Sequence, residues 1–143
     1  AAQRATVVAA RELGEAFQAQ SRAAFRRVLA PDFIEISQGQ FGLGELDFEQ
    51  ALASHEGRND LFGASRQVSD VIDLPAPDVM IVRSAVDTSP EGTDWEVVIW
   101  NVIHVRDGQV LRLETYTEAD PADAAPREWA HRRAQEIIDH QTG

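Results

Sequence analysis

The sequence predicts an α+β domain in which a curved antiparallel sheet wraps around N-terminal helices. Segments with a helical period come first along the chain, and strand-like segments dominate from Ser65 onward, an order that is not typical of doubly wound sheets. The dipeptide Asp107-Gly108 between two alternating apolar runs is a strong hairpin signal. A sheet bent around helices encloses a cone-shaped cavity, so we expect the fold to contain one.

The N-terminal segment is predicted to form two helices and a strand. Apolar residues spaced near 3.6 predict helix over residues 5–29. Ser21 is a suitable N-cap, so we expect a bend there and a second short helix after it. Pro31 ends the helix, and alternation over residues 32–38 then predicts the first strand.

A glycine-rich segment and a third helix follow the first strand. Three glycines between residues 39 and 44 predict a loop, which lacks the Gly-Lys-Ser/Thr ending of a phosphate-binding loop. Asp47 and Gln50 form a capping-box pattern that starts a helix reaching about Ser54.

Four strands and a last helix complete the chain. The predicted strands are Gln67–Leu74, Val79–Thr88, Asp94–Val105 and Val110–Thr117. The turns between them indicate an antiparallel meander. Asp120 and Pro121 predict the start of a helix over about residues 120–140, with Asp123 as an alternative start because Pro126 follows it.

Composition limits the classes of function. A chain of 143 residues suits a single domain, which we predict over residues 1–143 with a core over about residues 5–118. The net charge of −11 argues against nucleic acid or an anionic membrane as a direct partner. The absence of Cys excludes disulfides and thiolate metal sites and fits a cytoplasmic protein. Neither a membrane-spanning stretch nor a metal-ligand spacing occurs, so we predict no metal and no cofactor.

Two segments carry a resemblance to a known family. They are Leu29-Ala30-Pro31-Asp32-Phe33, which leads into the first strand, and the hairpin from Val105 to Glu114 with Tyr116 after it. With these residues the chain resembles the SnoaL-like branch of the nuclear-transport-factor-2-like superfamily over about residues 5–125. The resemblance implies a cone-shaped α+β fold whose functional groups stand on the cavity wall.

A narrower likeness concerns the segment Gly-Leu-Gly-Glu-Leu-Asp after the first strand and Glu114-Thr115-Tyr116 in the last. With these the chain is similar to SnoaL-like domains attached to large bacterial regulators and nucleotide cyclases. That likeness fits a chain that begins without Met, either as a processed start or as a domain cut from a longer protein.

Enzymes of this superfamily place catalytic groups at positions that this chain fills differently. The resemblance puts Ser37 at the first-strand catalytic Asp of steroid isomerases, and Asn101 at a sheet residue that helps to hold the oxyanion. Thr115 replaces the last-strand Asp of limonene-epoxide-hydrolase-like members, whose Arg-x-Asp pair has no counterpart near Arg83. These departures favour a role that is not enzymatic.

Strand alternation divides the side chains between two sheet faces. One face is mostly apolar with small polar groups, as expected for a ligand cavity. Its predicted members are Phe33, Glu35, Ser37, Trp95, Val97, Ile99, Asn101, Ile103, Leu113, Thr115 and Thr117. The other face carries the long polar and aromatic groups of an interface, and we expect it to form a homodimer. Its predicted members are Val98, Trp100, Val102, His104, Arg112, Glu114 and Tyr116.

Two of the cavity residues are candidates for chemistry. Asn101 can donate a hydrogen bond to a ligand oxygen, or it can be a structural amide bonded to nearby backbone. Glu35 in an apolar cavity can act as general acid or base, or it can be a surface carboxylate at the rim. His104 is assigned to the outer face as an interface or solvated residue rather than a base.

Three functions follow. The leading hypothesis is a module that binds a small apolar ligand or dimerises without catalysis. The second is an enzyme of the SnoaL-type polyketide cyclase or isomerase kind that uses Glu35 and Asn101. The third is a structural dimeriser whose cone is filled by side chains.

Overall fold

The described part of the chain contains four helices and six strands. The computed structural model describes residues 2–19, 21–39, 44–54, 66–88, 95–118 and 124–142. The helices are α1 (Ala2–Ala19), α2 (Arg22–Val28), α3 (48–54) and α4 (Ala124–Thr142). The strands are β1 (Leu29–Gly39), β2 (Gly44–Asp47), β3 (Arg66–Ala76), β4 (Val79–Thr88), β5 (Trp95–Arg106) and β6 (Gln109–Glu118). None of these helices combines the length and apolar character needed to span a bilayer.

The strands form one mixed sheet in the order β2-β1-β6-β5-β4-β3. β1 runs parallel to β6, whereas every other neighbouring pair is antiparallel. This corrects the prediction of a fully antiparallel sheet. The two parallel strands are far apart in the sequence, and the turn signals that predicted the meander act only between consecutive strands.

Irregular pairing bends the sheet. The register shifts between Leu29 and Ile34, between Val71 and Ala76, and at His104 and Val105. Irregularities of this kind bend a strand and increase its twist. The result is a curved, unclosed sheet, and the predicted α+β cone is confirmed.

Side-chain caps start two helices as the sequence predicts. Ser21 Oγ accepts a hydrogen bond from the Ala24 amide at 3.2 Å and caps α2. Asp47 Oδ1 accepts from the Gln50 amide at 2.9 Å, and Gln50 Oε1 accepts from the Asp47 amide at 3.0 Å. This reciprocal pair is a capping box, so the start of α3 is confirmed.

The hairpin between β5 and β6 is also confirmed. Asp107 and Gly108 have φ angles of 53° and 77°, and a type I′ turn needs positive φ at both central residues. Arg106 and Gln109 pair across the turn. The Asp-Gly signal therefore fixes the register of the two central strands.

The predicted glycine-rich loop contains a strand, which is a correction. β2 pairs antiparallel with β1, from Ile34 opposite Asp47 to Ser37 opposite Gly44. Four residues with one apolar side chain give too short an alternation to predict a strand. Gly44 has a φ of 78°, a conformation that favours glycine at the start of β2. Residues 40–43 lie outside the described residues.

Helices cover both faces of the sheet. α1 contacts β3, β4, β5 and β6 on one face, and α4 contacts the same four strands on the other. One buried cluster lies on the α1 side and includes Leu13, Phe33 and Leu113. A second cluster lies on the α4 side around Trp100 and Trp129. The sheet is thus the middle of three layers, with α1 and α2 beside the concave face.

α4 occupies the face that the sequence assigned to a partner subunit. The residues of that predicted interface are Val98, Trp100, Val102, His104, Arg112, Glu114 and Tyr116. Trp100, Val102 and Glu114 are fully buried within the single chain, and the rings of Tyr116 and Trp129 lie 5.3 Å apart. Trp129, Ala130 and Ala134 give α4 a buried apolar face, and helical periodicity alone cannot show which surface such a face covers. A homodimer stays a prediction, and through this face it requires α4 to move away.

Candidate functional site

A cavity of about 680 Å³ lies between α1 and the concave face of the sheet. Its apolar wall includes Val7, Leu13, Phe17, Met80, Val82, Ile103 and Leu113. Its polar residues are Arg11, Glu15, Ser69, Ser84 and Asn101. The described side chains therefore do not fill the cone, and they leave room for a ligand of drug-like size.

The position and sequence of α1 shape one wall of this cavity. Thr6 Oγ1 donates a hydrogen bond to the Pro77 carbonyl at 2.8 Å, which ties the helix to the turn between β3 and β4. Ala10, Gly14 and Phe17 recur at helical spacing on the cavity side. A Cβ added to Gly14 would meet nothing within 4 Å. The small residues Ala10 and Gly14 therefore leave open space on the cavity side of α1, and the larger Phe17 bounds that space.

Three of the predicted cavity residues line this space. They are Asn101, Ile103 and Leu113, which the register places next to one another across β5 and β6. Three other members of that prediction have side chains outside the described residues, namely Trp95, Val97 and Thr117.

The remaining predicted members lie beside the cavity rather than on its wall. Ser37, Ile99 and Thr115 are half-buried and share the concave face by register, but they are not among the described residues that line the cavity. Phe33 and Glu35 line a second, much smaller pocket of about 10 Å³. Strand alternation thus predicts the face correctly but not the depth along each strand.

Asn101 is the polar residue that β5 contributes to the described cavity wall. Its Nδ2 lies 3.1 Å from the Val82 carbonyl oxygen, 3.2 Å from Ser84 Oγ and 3.3 Å from the Ile99 carbonyl oxygen. The amide hydrogens are therefore committed to the sheet. The sequence left two alternatives for Asn101. The contacts of its Nδ2 agree with a structural amide bonded to nearby backbone, and they do not agree with donation to a ligand oxygen.

Glu35 is an interior carboxylate. It is only 4% exposed, so the alternative of a surface carboxylate at the cone rim is wrong. Its neighbours in the small pocket include Phe25, Phe33 and Leu52. The residues that line both pockets are Leu13, Phe17 and Leu113. An apolar partition therefore stands between Glu35 and the main cavity.

Several cavity residues escape prediction from the sequence. Arg11 and Glu15 reach the cavity from α1, and Ser69, Met80 and Ser84 reach it from β3 and β4. Met80, Val82 and Ser84 do alternate, but Ile81 between them is equally apolar, so the period alone cannot choose the inner face. The polar residues Ser69 and Ser84 mark the inner face better than the apolar ones do. They pair across β3 and β4, and their hydroxyl oxygens lie 3.0 Å apart.

A buried ion cluster on the opposite face holds α4. Arg133 Nε and Nη2 donate to the Glu114 carboxylate at 2.7 and 2.9 Å, and Arg112 Nε donates to it at 2.7 Å. Burial alone raises the pKa of Glu114, but hydrogen bonds from Arg133 and Arg112 outweigh it and leave that pKa below 4.5. Glu114 is therefore an ionised structural group far from any cavity ligand.

His104 also lies away from the cavity, in agreement with its strand position. Its Nε2 is 3.4 Å from the Asp78 carboxylate, and Gln141 of α4 contacts both residues. Because the sheet separates it from Asn101, His104 cannot act as a base on a cavity ligand. Within the described ranges, no group of three or more His, Asp and Glu residues could hold a metal ion.

Solved structures of other proteins share this architecture. Wild-type IdmH, a candidate polyketide cyclase from Streptomyces antibioticus, matches with a TM-score of 0.68 at 20% identity over 76% of this chain and 88% of that one. A candidate SnoaL-like polyketide cyclase from Jannaschia sp. CCS1 matches with a TM-score of 0.62 at 18% identity over 78% and 86%. A nuclear-transport-factor-2-like protein from Anabaena variabilis matches with a TM-score of 0.67 at 14% identity over 82% and 89%.

These likenesses concern the fold. The resemblance predicted from the Leu29–Phe33 segment and the hairpin is confirmed at that level, because the neighbours include SnoaL-like and nuclear-transport-factor-2-like proteins. No protein-family model and no curated protein sequence matches the chain. At these identities the likenesses establish the fold and no ligand.

Proposed function

We propose that this domain, which has the SnoaL-like cone fold of the nuclear-transport-factor-2-like superfamily, binds an apolar small molecule without converting it. The observation that carries the proposal is the cavity of about 680 Å³, with a wide apolar wall and a polar group at Asn101, Ser84 and Ser69. Sites for small molecules combine these features. Two structural neighbours are named as candidate polyketide cyclases, so polyketide-like ring compounds are the ligand class that we propose.

The polar groups of the cavity favour binding over catalysis. The family resemblance places Ser37 and Thr115 where related enzymes carry carboxylates, and the donors of Asn101 already bind the sheet. Arg11 and Glu15 are exposed on α1, where water screens their charges. General acid–base catalysis needs a group within hydrogen-bond reach of the reacting atom. The buried carboxylate of Glu35 is behind the apolar partition and does not meet that condition.

A thermal-shift screen with fused-ring compounds tests the proposal. A ligand present at 100 times its Kd stabilises the folded state by about 2.7 kcal/mol, which raises the Tm of a domain of this size by about 5–10 °C. Gly14→Leu places a side chain in the cavity and should abolish the shift, whereas Gly14→Ala should keep it. Shifts of equal size in both variants would show that the compounds bind elsewhere.

The enzymatic alternative rests on one observation, the burial of Glu35 in apolar surroundings. If rotation of the Phe17 or Leu113 side chain opened the partition, this carboxyl group would reach the ligand. Turnover of a ring substrate should then fall by about 10²- to 10⁴-fold in Glu35→Gln, which keeps the size of the side chain. Equal turnover in the wild type and in this variant would rule the alternative out.

A further inference from the structure

Asn101 presents a fixed polar atom to the cavity. Val82 and Ile99 offer carbonyl oxygens to its Nδ2 at 3.1 and 3.3 Å, and a carbonyl oxygen can only accept a hydrogen bond. If the amide were turned over, Oδ1 would face these two oxygens and repel them. The hydrogen-bond partners therefore decide which end of the amide points to the sheet.

Both amide hydrogens of Asn101 are in use. The side chain carries two N–H hydrogens, and three acceptors lie within 3.3 Å of the nitrogen, the third being Ser84 Oγ. A ligand carbonyl could receive a hydrogen bond from this amide only if a protein acceptor lost one. Oxyanion stabilisation by Asn101 would thus take a hydrogen bond away from one of these three protein acceptors.

The oxygen of the same amide, Asn101 Oδ1, differs from the nitrogen in having no protein partner among the described residues. Within the described part of the chain, no donor is hydrogen-bonded to Asn101 Oδ1, although the residue is half-buried and lines the cavity. An amide oxygen has two lone pairs and is satisfied only by a donor. Arg11 is the one cationic donor among the described lining residues, and it is exposed on α1 rather than set in the sheet.

We infer that the cavity selects an apolar ring compound that donates a hydrogen bond, through a hydroxyl group, to Asn101 Oδ1. The inference rests on the proposed function and narrows it to hydroxylated ligands in preference to ketones and ethers. A ligand that brings only an acceptor to this point leaves two oxygens facing each other without a proton between them. Such a mismatch weakens binding by about 5- to 100-fold.

The test compares 2-naphthol with 2-methoxynaphthalene, which has the same rings but no donor. Calorimetry at neutral pH should show at least about fivefold tighter binding of 2-naphthol to the wild type. Without a selective acceptor the ether should bind at least as well, because it carries an extra apolar methyl group. Equal affinities or tighter binding of the ether would overturn the inference and leave the proposed function in place.

Two variants test whether the preference for 2-naphthol depends on Asn101 and on the cavity. Asn101→Leu keeps the size of the side chain and removes the acceptor, so the ether should bind this variant at least as tightly as 2-naphthol does. A retained preference for 2-naphthol would overturn the inference. Gly14→Leu should bind neither probe. If the wild type binds neither probe, or if Gly14→Leu binds both as the wild type does, the proposed function and the inference fail together. The comparison in the wild type stands even if Asn101→Leu does not fold.

Discussion

At the scale of single residues, two glycines should respond to the same substitution in opposite directions. Gly14 lies inside α1 with open space around an added Cβ, and glycine in a helix costs about 0.5–1 kcal/mol relative to alanine. Gly14→Ala should therefore raise the free energy of unfolding by about that amount. Gly108 has a φ of 77° in the hairpin turn, so Gly108→Ala should lower the free energy of unfolding by about 1 kcal/mol.

Urea unfolding measures both changes as shifts of the midpoint at constant slope. A destabilised Gly14→Ala would mean that the cavity wall has no open space beside Gly14. A Gly108→Ala variant as stable as the wild type would mean that the turn can change type without cost.

The sequence predicts the sheet face of a side chain better than it predicts the hydrogen bonds or the burial of that side chain. Alternation along β5 places Asn101 on the concave face, because side-chain direction is a local property of a strand. Its hydrogen bonds depend on Val82 and Ser84 in β4, which only the fold brings beside it. The same holds for Glu35, whose face is predictable but whose burial depends on α2 and α3. The sequence thus selects candidate residues and leaves their chemistry open.

At the scale of elements, Glu114 should govern the attachment of α4. Its carboxylate is fully buried and binds Arg133 of α4 and Arg112 of its own strand. Glu114→Gln removes the buried counter-charge that both guanidinium groups share, and breaking a buried pair in this way costs about 3 kcal/mol. Because both arginines keep partial access to water, the loss should lie at this lower end of the range.

Chemical denaturation checks this value. Glu136→Gln is the matched control, because Glu136 also pairs with Arg133 but is exposed, and exposed pairs contribute about 0–1 kcal/mol. Similar losses in the two variants would contradict a special role for the buried carboxylate.

The elements that the sequence predicts well are those with local causes. Ser21, Asp47 and the Asp107-Gly108 turn act on backbone groups within a few residues, and each forms the predicted structure. The parallel pairing of β1 with β6 and the docking of α4 onto Trp100 join segments far apart in the chain. Such contacts depend on the whole topology, which explains why a partner subunit was predicted where α4 lies.

At the scale of the whole molecule, stability should fall in acid for a definable reason. The pKa of Glu114 is lower in the folded state than the ordinary 4.5, so the unfolded chain binds its proton first. The stabilisation from this group is fully present above the unfolded pKa and is lost as the pH falls through the lower folded pKa. The free energy of unfolding, measured by urea titration between pH 6 and pH 3, should therefore fall below about pH 4.5.

The comparison with Glu114→Gln separates this group from the other carboxylates. The variant cannot titrate at this position, so its stability should fall less steeply over the same pH range. Parallel curves for the two proteins would show that other acidic groups cause the acid dependence.

The state of association should depend on whether α4 stays on the sheet. Ala134 is fully buried where α4 meets the cluster around Trp100, so Ala134→Arg should force the helix away and expose that apolar face. Gln135→Arg adds the same charge one residue further on, at an exposed position, and should leave the helix docked.

Sedimentation should then show concentration-dependent self-association of Ala134→Arg beyond that of the wild type and of Gln135→Arg. Tryptophan emission of the first should move to longer wavelength as Trp100 and Trp129 lose their apolar cover. Equal sedimentation of all three proteins, with unchanged emission, would contradict the assignment of α4 as the cover of this face. A wild-type dimer that persists in Gln135→Arg, with its tryptophans still buried, would place the subunit contact on a surface other than the one α4 covers.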